Sequence, residues 1–335
     1  MQTETYKTDW KIFLGNGSQH QGLMRLPDPP PWRFSRPVPP LVMPPKLDIH
    51  KDHSRAAPFL PTSPMILAVN TALYLRRPLL LTGKPGTGKS TIIYKVAHEL
   101  QLGPVIRWSI SSRSTVRGGI YEYDAVGRLQ AGKTAEPPVE QYLKLGPLGT
   151  ALMEKTWPRP LLIDEIDKSD LDFANDLLNV IEEGEYEIPE LRRLGIQNPE
   201  VTDYLGDRVV VPQGRIQSGQ FPFVVMTSNA EREFPPPFLR RCVRLKIDPP
   251  KRSDLKMIIN EHLKRYVEVM DTKAIEDLLN QFETKQSKNE DVSTDQLLNA
   301  VFLTIAMRDS ERSFSEKEIN DLRETLLRQL SGPGS

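Results

Sequence analysis

The sequence predicts an α/β protein, with a parallel sheet flanked by helices over residues 61–250 and a small, wholly helical domain over 251–330. Three observations carry this. An apolar strand, Pro78 to Thr82, runs into a glycine-rich turn and then a helix whose residues Ile92, Ile93, Val96 and Leu100 share one face. Further apolar runs, Val105 to Ile110, Leu161 to Asp164 and Phe223 to Thr227, alternate with amphipathic stretches, the layout of a parallel sheet covered on both faces. Beyond Asp248, Pro249 and Pro250 such runs stop. Stripes at helical spacing replace them: Leu255, Ile258, Ile259 and Leu263, then Leu297, Leu298, Val301 and Ile305.

The helix predicted over 64–75 opens the sheet-bearing region. Before it, residues 1–60 read as an extended arm, because about a dozen prolines between Pro27 and Pro64 deny this stretch both helix and central strand. Trp10, Phe13, Leu14, Trp32, Phe34 and Leu41 are larger apolar residues than a solvated tail carries, so the arm is expected to lie on the core or on a neighbouring subunit. The closing SGPGS reads as linker.

Composition narrows the function classes. Acidic and basic residues balance at 44 each, so no overall field draws the chain to nucleic acid or an anionic membrane, and both are disfavoured as partners. The single cysteine, Cys242, precludes an internal disulfide and a thiolate metal cluster, which fits a reducing cytosol. No secretion signal and no membrane-length apolar run is evident, so a soluble, cytoplasmic protein is expected.

Four short segments carry chemistry. Gly83, Lys84, Pro85, Gly86, Thr87, Gly88, Lys89 and Ser90 have P-loop spacing: glycines let backbone amides turn toward phosphate oxygens, Lys89 reaches the terminal phosphates, and Ser90 can sit on magnesium, with Thr91 next in the helix. The apolar run Pro160 to Ile163 delivers two adjacent carboxylates. Neighbours on a strand point to opposite sides, so Asp164 can join the magnesium shell while Glu165 polarises the attacking water. Phe223 to Ser228 ends at Asn229, placed to sense the terminal phosphate; an amide that only caps a turn is the alternative. Past Pro235 to Pro237, Arg240 and Arg241 are candidates to reach another subunit's phosphate, Arg241 foremost, with pairing to local carboxylates as the alternative.

In this order the four segments resemble the AAA+ ATPase superfamily from about Pro61 to Leu330, and GKPGTGKS, LLIDEID, GPLGTAL (Gly146 to Leu152) and FLRRC resemble its MoxR-like branch. The resemblance implies ATP and Mg2+ as cofactors, a hexameric homo-oligomer with nucleotide between subunits, and a helical lid domain at the C-terminal end. It also implies inserted segments facing a client, here Val116 to Gln130 and Glu185 to Gln217, and often an effector or adaptor partner carrying a von Willebrand type A domain. Some relatives are similar to components of bacterial conflict systems. Tyr121 and Tyr123 could touch a client or form one face of a hairpin. The sequence departs from many relatives at Val292 to Leu297, where no second-sensor arginine stands, and slow hydrolysis by a lone protomer is expected from that. The leading expectation is ATP-driven remodelling of a protein partner; an assembly switch with slow hydrolysis and a nucleic-acid motor are the alternatives. ATP is expected over GTP because no Asn-Lys-x-Asp segment occurs, with the adenine pocket drawn from around Pro64, Met65 and Ile66 and from the lid.

Overall fold

The structure, a computed structural model, describes residues 10–33, 37–44, 52, 56–131, 137–264, 266, 272–288, 292–309, 318, 321 and 325–327. They fall into two compact units. The first takes the chain up to Ala57, Pro61–Thr82 and Ser90–Leu245; the second takes Pro58–Leu60, Gly83–Lys89 and the residues from Lys246 onward.

The strands of the first unit are β1 (Leu79–Thr82), β2 (Ile106–Ser109), β3 (Tyr121–Tyr123), β4 (Leu143–Leu145), β5 (Pro160–Asp164), β6 (Glu185–Glu187), β7 (Glu200–Thr202), β8 (Arg208–Val210), β9 (Arg215–Gln217), β10 (Phe223–Ser228) and β11 (Val243–Lys246). Five form the central sheet in the order β11-β1-β10-β5-β2. The pairs β1 with β10, β10 with β5 and β2 with β5 are parallel, and the register sets Thr82 beside Ser228 and Ser109 beside Asp164. Every residue of β5 and β10 is buried, which explains why these strands read as unbroken apolar runs and not as alternation. Helices Thr91–Glu99 and Leu171–Glu183 present Ile92, Ile93 and Val96, and Ala174, Leu177, Leu178 and Ile181, to the interior, all fully buried.

Two smaller sheets occupy the inserted segments, β3-β4-β7-β8 and the antiparallel pair β6-β9. These strands of three residues are too short to register as periodic patterns, and β11 alternates with charged residues; apart from the hairpin reading of Tyr121 and Tyr123, which lie on β3 paired antiparallel with β4, the sequence analysis named none of them as strands. Tyr121 settles one open question. It is buried, and its hydroxyl donates to Glu190 Oε2 at 2.7 Å while accepting from Arg117 Nε, so it belongs to the packing and cannot meet a client.

The arm lies on this unit through polar groups set inside helices. Asn70, in helix Ser63–Leu75, accepts from the amides of Ile12 and Phe13 (2.6 and 3.0 Å) and donates to the Phe13 carbonyl (2.8 Å), acting as a one-residue strand partner. Glu99, fully buried, accepts the amides of Leu14, Gly15 and Gly17 at 2.5, 3.0 and 2.9 Å. Gly15 and Gly17 have φ of +76° and +77°, conformations that glycine alone adopts without strain. Ile12, Phe13, Leu23 and Leu26 are buried, whereas Trp32 is 79% exposed. Farther along, Pro39 accepts from Gln220 and Val42 donates to Thr156. Phe34 lies outside the described residues.

The second unit contains helices Arg252–His262, Thr272–Ser287 and Thr294–Asp309. Leu255, Ile259 and Leu263 from the first pack with Leu278, Leu279 and Phe282 from the second and Leu297, Val301 and Ile305 from the third. Arg252 and Lys256 pair with Glu276, and Arg252 also with Glu283, which fixes the first two helices side by side. Among the described residues no helix is long and apolar enough to cross a membrane.

Replacing Glu99 with alanine removes one acceptor from three arm amides at once. Leaving buried donors unpaired is expected to cost about 2–4 kcal/mol in a denaturant titration and to open residues 10–33 to limited proteolysis. An unchanged midpoint with an uncut arm would show that the carboxylate does not hold it.

Candidate active site

The loop that follows β1 depends on three glycines. Gly83, Gly86 and Gly88 have φ of +153°, +72° and +79°. A Cβ on Gly83 would stand 2.4 Å from the Ile247 carbonyl oxygen, and one on Gly86 would stand 2.4 Å from the Ser293 Cβ. The loop thus turns its backbone in a way side chains forbid, the conformational freedom that an anion-binding backbone loop requires. Lys89 is buried within that curve, its Nζ donating to the carbonyls of Gly83 and Lys84 at 2.7 Å each. Thr87 Oγ1 donates to the Lys84 carbonyl. Within the same unit Lys84, Pro85 and Thr87 line a cavity of about 450 Å³ together with Pro249, Pro250 and Glu283.

The stretch from Val292 to Leu297, in which the resemblance leads one to expect an arginine, begins a helix instead with a serine–glutamine pair. Ser293 N donates to Gln296 Oε1 (2.8 Å) and Gln296 N to Ser293 Oγ (3.3 Å), a reciprocal cap on helix Thr294–Asp309. Ser293 is also the residue that meets Gly86.

In the first unit the site centres on Asp164, the last residue of β5. Ser90 Oγ donates to its Oδ1 at 2.7 Å, Thr227 Oγ1 donates to the same oxygen at 2.6 Å, and Arg107 Nη2 pairs with Oδ2 at 2.7 Å. Burial by itself would raise the Asp164 pKa; the hydrogen bonds from Thr227, Ser90 and Arg107 outweigh it and hold the carboxyl below its ordinary value. Arg107 is correspondingly pushed up by its bond to Asp164. Thr227 Oγ1 also accepts the Glu165 amide at 2.9 Å, so one hydroxyl ties the last residue of β5 and the residue that follows it to β10. Thr91 is the first residue of the helix that Ser90 leads into.

Glu165 sits at φ +60° and ψ +50°, a left-handed conformation uncommon outside glycine and asparagine, and its carboxylate has a different partner from that of Asp164. Its Oε2 is 2.6 Å from Lys168 Nζ, one helical turn on. Asn229 follows β10, and its amide donates to Asp167 Oδ2 at 2.9 Å; the Glu231 amide uses the same oxygen at 3.2 Å. Arg240 caps the short helix Pro236–Leu239 and Arg241 follows it. Neither bonds Ser90, Asp164 or Glu165 among the described residues. Arg240 is exposed, its carbonyl accepting from Arg77 Nη1. Arg241 Nη1 donates to Asn179 Oδ1 at 2.9 Å, and its Nε lies 3.4 Å from Glu182 Oε2. Pairing with a local carboxylate, the alternative weighed for this residue, is therefore present in the single chain.

Residues 78–242 match the family model of the AAA domain, dynein-related subfamily. The match supports the AAA+ superfamily. It runs from Pro78, just before β1, to Cys242, a little under half of the chain. No curated protein matches the chain. Domains of the AAA kind are nucleotide-dependent ATPase modules that usually take Mg2+, and the donor set of this chain fits such a group. Magnesium takes one or two protein oxygen ligands and fills its shell with phosphate oxygens and water, and Ser90 and Asp164 offer such a hydroxyl and carboxylate side by side. Among the described residues there is no cluster of three or more His, Cys, Asp or Glu side chains that could hold an ion alone.

The sequence analysis missed Arg107, Lys168, Thr227 and Asp167 as members of this constellation. For Arg107 there was a signal, a cation inside the apolar run VIRWSI, which needs a counterion once folded. Lys168 was visible as a partner three residues from Glu165. Nothing in the sequence singled out the Thr227 hydroxyl, because its use depends on the β5-β10 register. For the adenine expectation, Met65 is buried and Ile66 lies against Gly15 of the arm.

A carboxyl held below its ordinary value contributes stability that is present above the unfolded pKa, about 4, and is lost as pH falls through the lower folded one. Asp164→Asn is therefore expected to lower stability at neutral pH and to flatten the loss of stability below about pH 4, read as unfolding midpoint against pH. Parallel acid limbs in the two proteins would mean that Asp164 is not the group responsible.

Proposed function

We propose that this chain is a MoxR-like AAA+ ATPase that works in a homo-oligomeric ring, hexameric by resemblance, and couples ATP binding and hydrolysis to remodelling of a protein partner. The observation that carries the ATPase reading is the arrangement at the ends of β5 and β10: Asp164 bonded to Ser90, Glu165 turned aside from it, and Thr227 tying both to one frame. In this reading the amides of Gly83 to Ser90 and the Lys89 ammonium bind the phosphates. Ser90 and Asp164 hold magnesium, which supplies charge neutralisation at the phosphoryl oxygens. Glu165 accepts a proton from the attacking water, Asn229 orients near the terminal phosphate, and Arg241 is supplied to the site of the neighbouring subunit.

The resting contacts support slow turnover by a single chain. Glu165 is held by Lys168, Asp164 by Arg107, and Arg241 by Asn179 and Glu182. Each group has to exchange a local partner before it can act, and a neighbouring subunit with bound ATP provides the competing contacts. The same contacts favour the second reading, in which ATP drives assembly and hydrolysis only resets it. A protein partner, including one with a von Willebrand type A domain, belongs to the remodelling reading, and stimulation of turnover by it separates the two. A nucleic-acid motor finds no support in the balanced charge.

Turnover per subunit, measured against protein concentration with mass determined in ATP, is expected to rise as rings form. Glu165→Gln should retain assembly and lose turnover; Arg241→Ala should lose on the order of a thousandfold. Mixing these two inactive variants should restore a fraction of the rate, since some interfaces then combine an intact Glu165 with an intact Arg241. A monomer whose turnover ignores Arg241 would defeat the shared-site reading.

A further inference from the structure

Glu182 is contested. Its Oε1 accepts from Arg33 Nη1 at 3.1 Å, while its Oε2 faces Arg241 Nε at 3.4 Å. Glu182 and Asn179 lie three residues apart on helix Leu171–Glu183 and so share a face, from which both reach Arg241. The two arginines are not equivalent. The Arg33 side chain is 8% exposed, its Nε donates to the Leu75 carbonyl at 3.2 Å, its guanidinium lies 5.6 Å from the centre of the Phe221 ring, and its Nη2 is buried without a hydrogen-bond partner among the described residues. A buried cation needs its counterion. Arg241 is 29% exposed, keeps a neutral partner in Asn179 and can be solvated if Glu182 is withdrawn.

We infer that Arg33 of the arm is a positioning residue for Arg241: by committing Glu182 to itself, it leaves Arg241 ordered by Asn179 but only loosely held by charge, and so free to be given to a neighbouring subunit. Without Arg33, the undivided charge of Glu182 falls on Arg241 and retains it in its own chain. The arm then regulates the ring's turnover through one carboxylate, without touching nucleotide. This rests on the proposal that Arg241 acts across the subunit interface.

The test is steady-state ATPase of assembled full-length chains. Arg33→Met keeps bulk over Phe221 and removes the charge; it is expected to lower kcat about tenfold, the scale of coupling between residues that share a partner, with KM for ATP unchanged. Adding Glu182→Gln to Arg33→Met should restore kcat, because nothing then retains Arg241, and Arg33→Lys should keep most of the rate. Arg33→Gln, which preserves a donor for the Leu75 carbonyl, carries the same expectation as Arg33→Met should that variant fold poorly. Wild-type kcat in both uncharged variants, or a deficit that Glu182→Gln does not relieve in rings of normal mass and unfolding temperature, would overturn the inference. The Arg241→Ala control keeps the two claims apart. If it too has wild-type turnover, the shared-site proposal has failed; if it collapses while the Arg33 variants stay normal, only the role of Arg33 has.

Discussion

The architecture of the site follows from the need to keep one ionised carboxylate inside a protein. Asp164 closes a strand with every residue buried, where an unpaired charge would be expelled or protonated. It is kept ionised by three donors from three separate elements: Ser90 before a helix, Thr227 on β10 and Arg107 on β2. Satisfying it therefore fixes the order β10-β5-β2, the register of those strands and the entry of the helix that begins at Thr91. The left-handed turn at Glu165 is a local consequence. Its amide is spoken for by Thr227, and the chain must leave the strand at once into Ile166–Lys168.

How far this was legible in the sequence depends on the range of the interactions. The β1–loop–helix unit, the β5 carboxylates and the strand leading to Asn229 are local patterns, and the structure has strands ending where those patterns end. Two helices of the second unit were equally plain, because Leu255, Ile259 and Leu263, and Leu297, Val301 and Ile305, repeat with a helix's own period; Thr272–Ser287 was covered only by the general helical reading. The inserted sheets were not, since three-residue strands carry no period and find their partners far away, as Glu185 does with Gln217. Long-range polar contacts stayed hidden for the same reason. No local feature of Asn70 or Glu99 announces that each binds the backbone of an arm more than fifty residues earlier.

Lys89, Asp164, Glu165 and Arg241 share a feature: each has a side-chain hydrogen bond or ion pair within the single chain. Lysine, arginine and carboxylate are all satisfied within one chain, which is what a protein needs to be stable before it assembles. On the proposed reading, activation is an exchange of partners at nearly constant bond number and not the creation of new interactions, so modest binding energy at a subunit interface would be enough to tip the balance.

The arm's hold on Glu99 bears on how force or strain could pass through the core. Helix Thr91–Glu99 starts next to Ser90, which donates to Asp164, and ends at the residue that clasps the arm, a span of about 13 Å along a rigid rod. A helix this short transmits a push or a twist along its axis with little bending. The arm is thereby tied to the end of this helix opposite Ser90, so a displacement of residues 14–17 is passed to the helix that Ser90 leads into.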